Sequence, residues 1–329
     1  MDKILIIGSN SFSGANFCNY ALNQGMHTIG VSRSVQSSDI FLPYKWSNNG
    51  ELFYFHQIDL NKDQEKLIDL IWKETPAYIV NFAAQSMVAE SWDNPIDWYM
   101  TNTISTIKLH DQLRKVKFLK RYVHITTPEV YGSCAGNVKE NWTLNPSTPY
   151  AASRAAADLS LRTFFYGFGF PVIFTRASNV YGPGQQLYRI IPKTILSILM
   201  GKKIQLHGGG MSTRSFIHIK DVCDATWKIM LFGNDGDTYH ISTNEMISIR
   251  ELVKKICQKL NCSFYDCVEV VDERLGKDAA YHLDSCKIRN ELSWDNAISL
   301  DEGINECINW TKKNLEELSK LPQEYIHRP

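Results

Sequence analysis

Residues 4–23, ILIIGSNSFSGANFCNYALN, set an apolar run directly before GSNSFSG (8–14) and a helix-like stretch directly after it. Strand, glycine turn and helix in that order open a dinucleotide-binding crossover. The glycines allow a tight turn and close backbone approach, and the helix N-terminus offers free N–H groups and a positive dipole to a pyrophosphate. Gly8 and Gly14 hold the outer glycine positions, and Ser11 stands at the middle one. Such a turn also forms for geometry alone, but its place between strand and helix favours cofactor binding. Ser11 takes up room, and its hydroxyl can donate to a phosphate oxygen.

The same alternation continues downstream. KILIIG, MHTIGVS, LFYFHQID and AYIVNFAA read as strands, with helices up to Gly25 and through KLIDLIWKE. A helix over about 95–115, the strand RYVHITT, a helix from Pro149 to about Gly167 and the strand PVIFTRASNVYG follow. Repeated βα units with right-handed crossovers predict an α/β fold, a Rossmann-type doubly wound parallel sheet with helices on both faces. After Gly184 the rhythm changes. The helix RIIPKTILSILMG leads to the turn GGGMSTR and then FIHIKDVCDATWKIML. A strand TYHIS, a helix ISIRELVKKICQKL, a strand CVEVVD and a last amphipathic helix complete the chain. The expected division is a Rossmann domain over 1–180, with a further contribution from about 215–243, and a smaller C-terminal α/β lobe over 181–214 and 244–329.

Composition excludes other classes. The 329 residues are 44% hydrophobic, and 35 Lys+Arg balance 35 Asp+Glu without a basic block, so neither nucleic acid nor an anionic membrane is an expected partner. No apolar run reaches the ~18 residues that span a bilayer. The eight cysteines form no CxxC pair, and Cys257, Cys262 and Cys267 lie five apart without nearby histidines. Reduced thiols in a cytoplasmic protein, with no metal, are the expectation. His207 and His218 stand singly in apolar stretches and read as core or rim residues.

The end of the second strand bears on cofactor choice. NAD enzymes usually place a carboxylate there for the ribose hydroxyls, but this chain has VSRSVQSS, with no acid before Asp39. Arg33 between Ser32 and Ser34 can fork onto a 2′-phosphate, stack on adenine, or stand as a surface cation. The preferred reading is NADP, with NAD as the alternative. Asp59, after the third strand, suits the adenine amino group and equally suits an ordinary turn.

Three further segments carry chemistry: ITTPEVYG (125–132), STPYAASRAAADL (147–159) and RASNVYGPGQ (176–185). Thr148 caps a helix that has Pro149 in its first turn, so Tyr150 and Arg154 share one face. A fixed cation and a helix N-terminus stabilise a phenolate. Tyr150 can then take a proton from a sugar hydroxyl.

With NFAAQSMVAESWDNP, STRSFIHIKDV and ERLGKDAAYHLDS added, the chain resembles the extended short-chain dehydrogenase/reductase family, and within it the nucleotide-sugar 4,6-dehydratases, over nearly its whole length. The resemblance implies NAD(P) in the Rossmann domain, a nucleotide diphosphate sugar held by the lobe, and a homodimer joined through paired helices. It implies cofactor contacts from Gly8, Ser11, Phe12, Gly14, Arg33, Asp59, Leu60, Ala83, Tyr150 and Arg154. Thr127 would hydrogen-bond the sugar O4, Tyr150 would remove its proton, and Glu129 would abstract the C5 proton that the resulting ketone acidifies. Water then leaves C6, giving a 4-keto-6-deoxy sugar. Asn179 and Arg214 match positions that bind the diphosphate, and Arg274 one at the nucleotide end. Gln85 and Ser86, in AAQS, are closer to the GDP-mannose group, and Arg189 adds a cation beside the pocket.

Two departures stand out. Pro128 occupies the place of the acid that protonates the departing hydroxyl in dTDP-glucose 4,6-dehydratases, and Arg154 replaces the motif lysine. Ala279 and Ala280 stand where the family usually has an arginine. A nucleotide-sugar 4-dehydrogenase, epimerase or decarboxylase shares the first step. A non-catalytic NADP-binding protein is a reading of another class, motivated by Ser11, Pro128 and Arg154.

Overall fold

The computed structural model describes residues 2–46, 50–134, 136–272 and 282–328. Seven strands make the central sheet: β1 (Lys3–Ile7), β2 (His27–Ser32), β3 (Phe53–Gln57), β4 (Tyr78–Asn81), β5 (Arg121–Ile125), β6 (Val172–Ala177) and the later Thr238–Ile241. Their order is Thr238–Ile241, β6, β5, β4, β1, β2, β3, and every pairing is parallel. The order reverses between β1 and β4, so a crevice opens there at the carboxyl ends of the strands.

Alternation along β1 divides the core. Ile4 and Ile6 face α1 (Phe12–Asn23) and the later helix Ile219–Phe232, while Leu5 and Ile7 face α2 (Gln64–Glu74) and the helices beside it. Successive side chains of a strand point to opposite faces, and a parallel sheet covered on both is apolar throughout.

The helix expected over 95–115 is interrupted. It forms as α3 (Pro95–Tyr99), a π turn at Met100–Ile104, and α4 (Ser105–Leu113). The wider turn aims polar side chains inward: Asn102 Nδ2 donates to Ser153 Oγ (2.9 Å), and Thr103 Oγ1 to the Ser153 carbonyl (2.8 Å). Ser153 lies on α5 (Pro149–Phe168), whose N-cap Thr148 accepts from Ala151 N.

The single strand expected over PVIFTRASNVYG divides at Ser178. β6 stays in the sheet, and β7 (Asn179–Tyr181) turns away to pair with Phe216–His218. The chain continues with α6 (Ile190–Leu199), β8 (Ile204–His207), β9 (Phe216–His218), α7 (Ile219–Phe232), which covers the sheet, β10 (Thr238–Ile241), which is its edge strand, and then α8 (Ile249–Lys259), β11 (Val268–Val271), α9 (Cys286–Leu292) and α10 (Leu300–Lys313). Capping boxes at Ser248/Glu251 and Ser299/Glu302 start α8 and α10, and these helices bury Leu252, Ile256, Ile304 and Ile308 against α6.

Four histidines are buried without charge. Burial holds His110 and His240 at about 3 and His218 at about 4, and drives His124 well below its ordinary value. Their folded pKa values lie below the unfolded ~6.5. The unfolded chain therefore binds more protons below that pH, and stability is lost as pH falls. Unfolding free energy should fall from pH ~6.5 toward ~4 with a slope approaching about 1.4 kcal/mol per pH unit for each histidine, and melting temperature should decline with it. A melting temperature that is flat between pH 7 and 5 would contradict this.

Candidate active site

The crevice between β1 and β4 holds a cavity lined by Gly8, Asn10 and Ser11 after β1, Ser32, Arg33 and Ser34 after β2, Asp59 and Leu60 after β3, and Ala83 and Gln85 after β4. Gly8 has φ +86°, and a Cβ there would lie 2.7 Å from Ala83 N. A Cβ on Gly14 would come within 2.2 Å of the Gly8 carbonyl. Both outer glycines are therefore required by the backbone itself, and together they bring the first turn against the turn after β4. The cradle, the α1 N-terminus and the arginine-bearing rim fit an elongated diphosphate cofactor.

Ser11 has a different role from the one its position implied. Its hydroxyl donates to the Gly8 carbonyl (2.7 Å) and accepts from Gly14 N (3.1 Å), so it caps α1 and closes the turn on itself instead of offering its proton outward. Phe12 packs into the core on the α1 side. Ser86 is exposed and does not line the cavity, whereas its neighbour Gln85 does. Asp59 lines the cavity too, with one oxygen accepting from Asn61 N at 2.7 Å.

The sequence reading missed Asn10. Its amide donates to the Ser34 and Val35 carbonyls (3.0 and 3.1 Å), fixing the loop that carries Arg33. An asparagine inside the glycine turn was the available signal. Thr101 and Asn61 also line the cavity, placed by the π turn and by the loop after β3.

Beyond the crevice, Thr127, Glu129 and Tyr150 meet. Thr127 caps a short 3₁₀ turn, Pro128–Tyr131, with Pro128 at its first position, where a missing N–H costs nothing. The Thr127 hydroxyl donates to a Glu129 carboxylate oxygen. Tyr150 is buried on the first turn of α5, with its phenol under the influence of Glu129, Arg154, Thr127 and Arg189.

The expected lowering of the Tyr150 pKa does not occur in this state. Burial and the Glu129 carboxylate outweigh the cations and push it up to about 12. Arg154 turns one guanidinium nitrogen toward the sheet. It is buried, and Nη2 donates to the Ile125 carbonyl at the end of β5, while Nε and Nη1 have no protein partner. Its influence on Tyr150 is therefore through its field.

A buried polar network behind these residues was also missed. Asp158 accepts from Thr126 (3.0 Å) and from Arg176 Nη2 (2.8 Å), Arg176 Nη1 donates to the Tyr131 hydroxyl, and that oxygen lies 2.7 Å from His240 Nε2. It ties the end of β5, the turn carrying Glu129, α5, β6 and β10 into one unit. Breaking such a pair leaves an uncompensated buried charge, so the network holds the turn firmly. Its signal was a charge inside each of two apolar runs, FTRAS and AAADLS.

The remaining residues lie toward the lobe. Asn179 begins β7, and its buried Oδ1 has no hydrogen-bond partner. Arg189 caps α6 next to Tyr188. Arg214 donates to the Thr213 carbonyl (2.7 Å) in a short antiparallel pair with 247–248. Arg274, Ala279 and Ala280 lie outside the described residues. Cys257, Cys262 and Cys267, which the sequence reading treated as scattered, bring their sulfurs within 4.8 Å of one another in an apolar part of the lobe. Burial raises all three thiols, and among the described residues no His, Asp or Glu joins the cluster. No described helix is long and apolar enough to cross a membrane.

A doubly wound sheet with a dinucleotide crevice, and a Thr–Glu–Tyr group beside it, defines an extended short-chain dehydrogenase/reductase. The chain belongs to the GDP-mannose 4,6 dehydratase family, which it matches over residues 5–307. It is 33% identical to a dTDP-glucose 4,6-dehydratase of Streptomyces niveus, over 99% of this chain and 98% of that one. Among solved structures, the dTDP-glucose 4,6-dehydratase of Bacillus anthracis in complex with NAD superposes with a TM-score of 0.87 at 31% identity, covering 96% of this chain and 98% of that one. The Streptomyces venezuelae enzyme DesIV, also with NAD bound, gives 0.87 at 28%, with the same coverage. The activity class is thus nucleotide-sugar 4,6-dehydratase, a hydro-lyase that uses a nicotinamide cofactor and a nucleotide-sugar substrate.

Proposed function

We propose that Thr127, Glu129 and Tyr150 carry out C4 oxidation and C5 deprotonation of a nucleotide hexose, leading to a 4-keto-6-deoxy product. The observation that carries this reading is the Thr127 hydroxyl bonded to the Glu129 carboxylate, with the Tyr150 phenol buried beside the pair. Tyr150 takes the O4 proton while Thr127 holds that oxygen. A nicotinamide dinucleotide held by the turn at Gly8–Gly14 and the rim at Arg33 would supply hydride acceptance from C4 and hydride return at C6. The C4 ketone acidifies C5–H, and Glu129 accepts that proton. Pro128 has no proton to give, so Glu129 itself hands the C5 proton to the departing C6 hydroxyl, and once hydride has reached C6 a solvent-derived proton returns to C5 of the enolate through the same carboxylate. Incubation with dTDP-, UDP- and GDP-hexoses tests this: one should yield a product lighter by one water, and no mass loss from any would overturn it.

The sugar nucleotide binds between residues 1–180 with 215–243 and the lobe formed by 181–214 and 244–329. Asn179, Arg189 and Arg214 bind the diphosphate end, and Arg274 remains assigned to the nucleotide by the resemblance alone. Two chains pair through the exposed apolar face that carries Ile96, Met100, Ile104 and Leu159.

For the cofactor, Ser32, Arg33 and Ser34 at the cavity rim support NADP, since Asp59 is the only acid among the residues lining it. The NAD held by the Bacillus and Streptomyces relatives supports the other choice. Titration decides between them. Wild type should bind NADP more tightly than NAD, and Arg33→Ala should weaken NADP by roughly 10–100-fold, the loss of charge-assisted hydrogen bonds, with NAD little changed. Equal affinities that Arg33→Ala leaves unaltered would assign NAD.

A further inference from the structure

The segment that follows Leu321 runs from the lobe back to the cofactor crevice. At the lobe, Glu324 pairs with Lys193 of α6 (2.7 Å), and Tyr325 sets its ring edge-on to Tyr188 (5.4 Å between centroids). At the other side, His327 Nε2 lies 2.7 Å from Asp97 Oδ2, and its ring stacks on the fully buried Trp98 (5.0 Å, 16°). The Arg328 carbonyl accepts a 2.7 Å hydrogen bond from Gln85 Nε2.

Gln85 is the critical anchor because it also lines the dinucleotide cavity. Its backbone exchanges two hydrogen bonds with Asn102 (2.9 and 3.0 Å), and Asn102 bonds Ser153, next to Arg154 on the helix that carries Tyr150. Tyr325 stands in the fields of Arg33 from the cofactor rim and Arg189 from the lobe, although burial is what chiefly raises its phenol. The segment is therefore fastened to both sides of the cleft. The exposed Glu324–Lys193 pair adds little. The His327–Asp97 bond, the Trp98 stack and the Gln85 bond are partly or fully shielded and supply the hold.

We propose that residues 324–328 are a strap that completes the cofactor site and retains the dinucleotide between turnovers. This rests on the functional reading above. A cofactor that is reduced and reoxidised within one cycle has no reason to leave, so a closed cleft carries no kinetic penalty, as it would in an enzyme that exchanges its cofactor at every turnover.

The test is the release rate of bound NAD(P), whichever form binds, measured by displacement from wild type, from His327→Ala, from His327→Gln and from a variant lacking 322–329. Circular dichroism and melting temperature check folding of each. His327→Ala and the deletion should release the dinucleotide roughly tenfold faster or more, the scale of losing a shielded hydrogen-bonded contact, and His327→Gln, which keeps a donor toward Asp97, should stay near wild type. Folded variants that release at the wild-type rate would overturn the strap alone, as would an unchanged release with a raised KM for the sugar nucleotide. A wild type that binds no nicotinamide dinucleotide would overturn the functional reading, and the strap with it.

Discussion

Tyr150→Phe should lower kcat for formation of the 4-keto-6-deoxy sugar by roughly 10²–10⁴, the range expected for loss of a positioned acid–base group. The phenyl ring keeps the volume of a side chain that is only 7% exposed. The fold and substrate binding should therefore persist, and what disappears is the hydroxyl that stands beside Thr127 and Glu129. Single-turnover mixing with a nucleotide hexose, followed at the reduced-nicotinamide absorbance, isolates the first step. A variant that reduces cofactor at the wild-type rate would remove Tyr150 from the mechanism.

Glu129→Gln should separate the two halves of the reaction. Oxidation at C4 needs Tyr150, whereas C5 deprotonation needs the Glu129 carboxylate. The variant should accumulate reduced cofactor and oxidised sugar, lose product formation by roughly 10²–10⁴, and stop incorporating solvent deuterium at C5. It should also retune the residue that remains. The Glu129 charge is the second cause, after burial, of the raised Tyr150 pKa. Removing that negative charge makes the phenolate easier to form, so the rising limb of the oxidation rate should move to lower pH. A limb that stays in place, or moves to higher pH, would show that the two groups do not share a field. Continued deuterium incorporation at C5 would assign the base elsewhere.

Much of this fold could be read from local patterns. ILII before GSNSFSG, and each later β-branched run before a helix, reports the buried faces that a parallel sheet demands, and those runs became β1 to β6. Thr148-Pro149 marked the start of α5, and with it the placement of Tyr150. What could not be read depends on packing between distant segments. The π turn at 100–104 exists because Asn102 and Thr103 find partners on α5, fifty residues away. The balance of burial against charge at Tyr150 needs the position of Glu129, which spacing does not supply. Arg154 could be recognised as a cation on the right face, but its bond to the Ile125 carbonyl belongs to the meeting of α5 with β5. Ser11 is the instructive case. Its place in the motif was correct, yet the shortness of the turn makes it a cap within the chain.

A carboxylate at 129, with proline at 128, should suffice for elimination, and the hydrogen removed at C4 should return at C6. The most direct measurement uses the nucleotide hexose that the enzyme converts, labelled with deuterium at C4, and locates the label by NMR and mass spectrometry of the product. The expected product is a 4-keto sugar lighter by one water, with the deuterium at C6. A product of unchanged mass, or one that has lost water but carries no deuterium at C6, would contradict it.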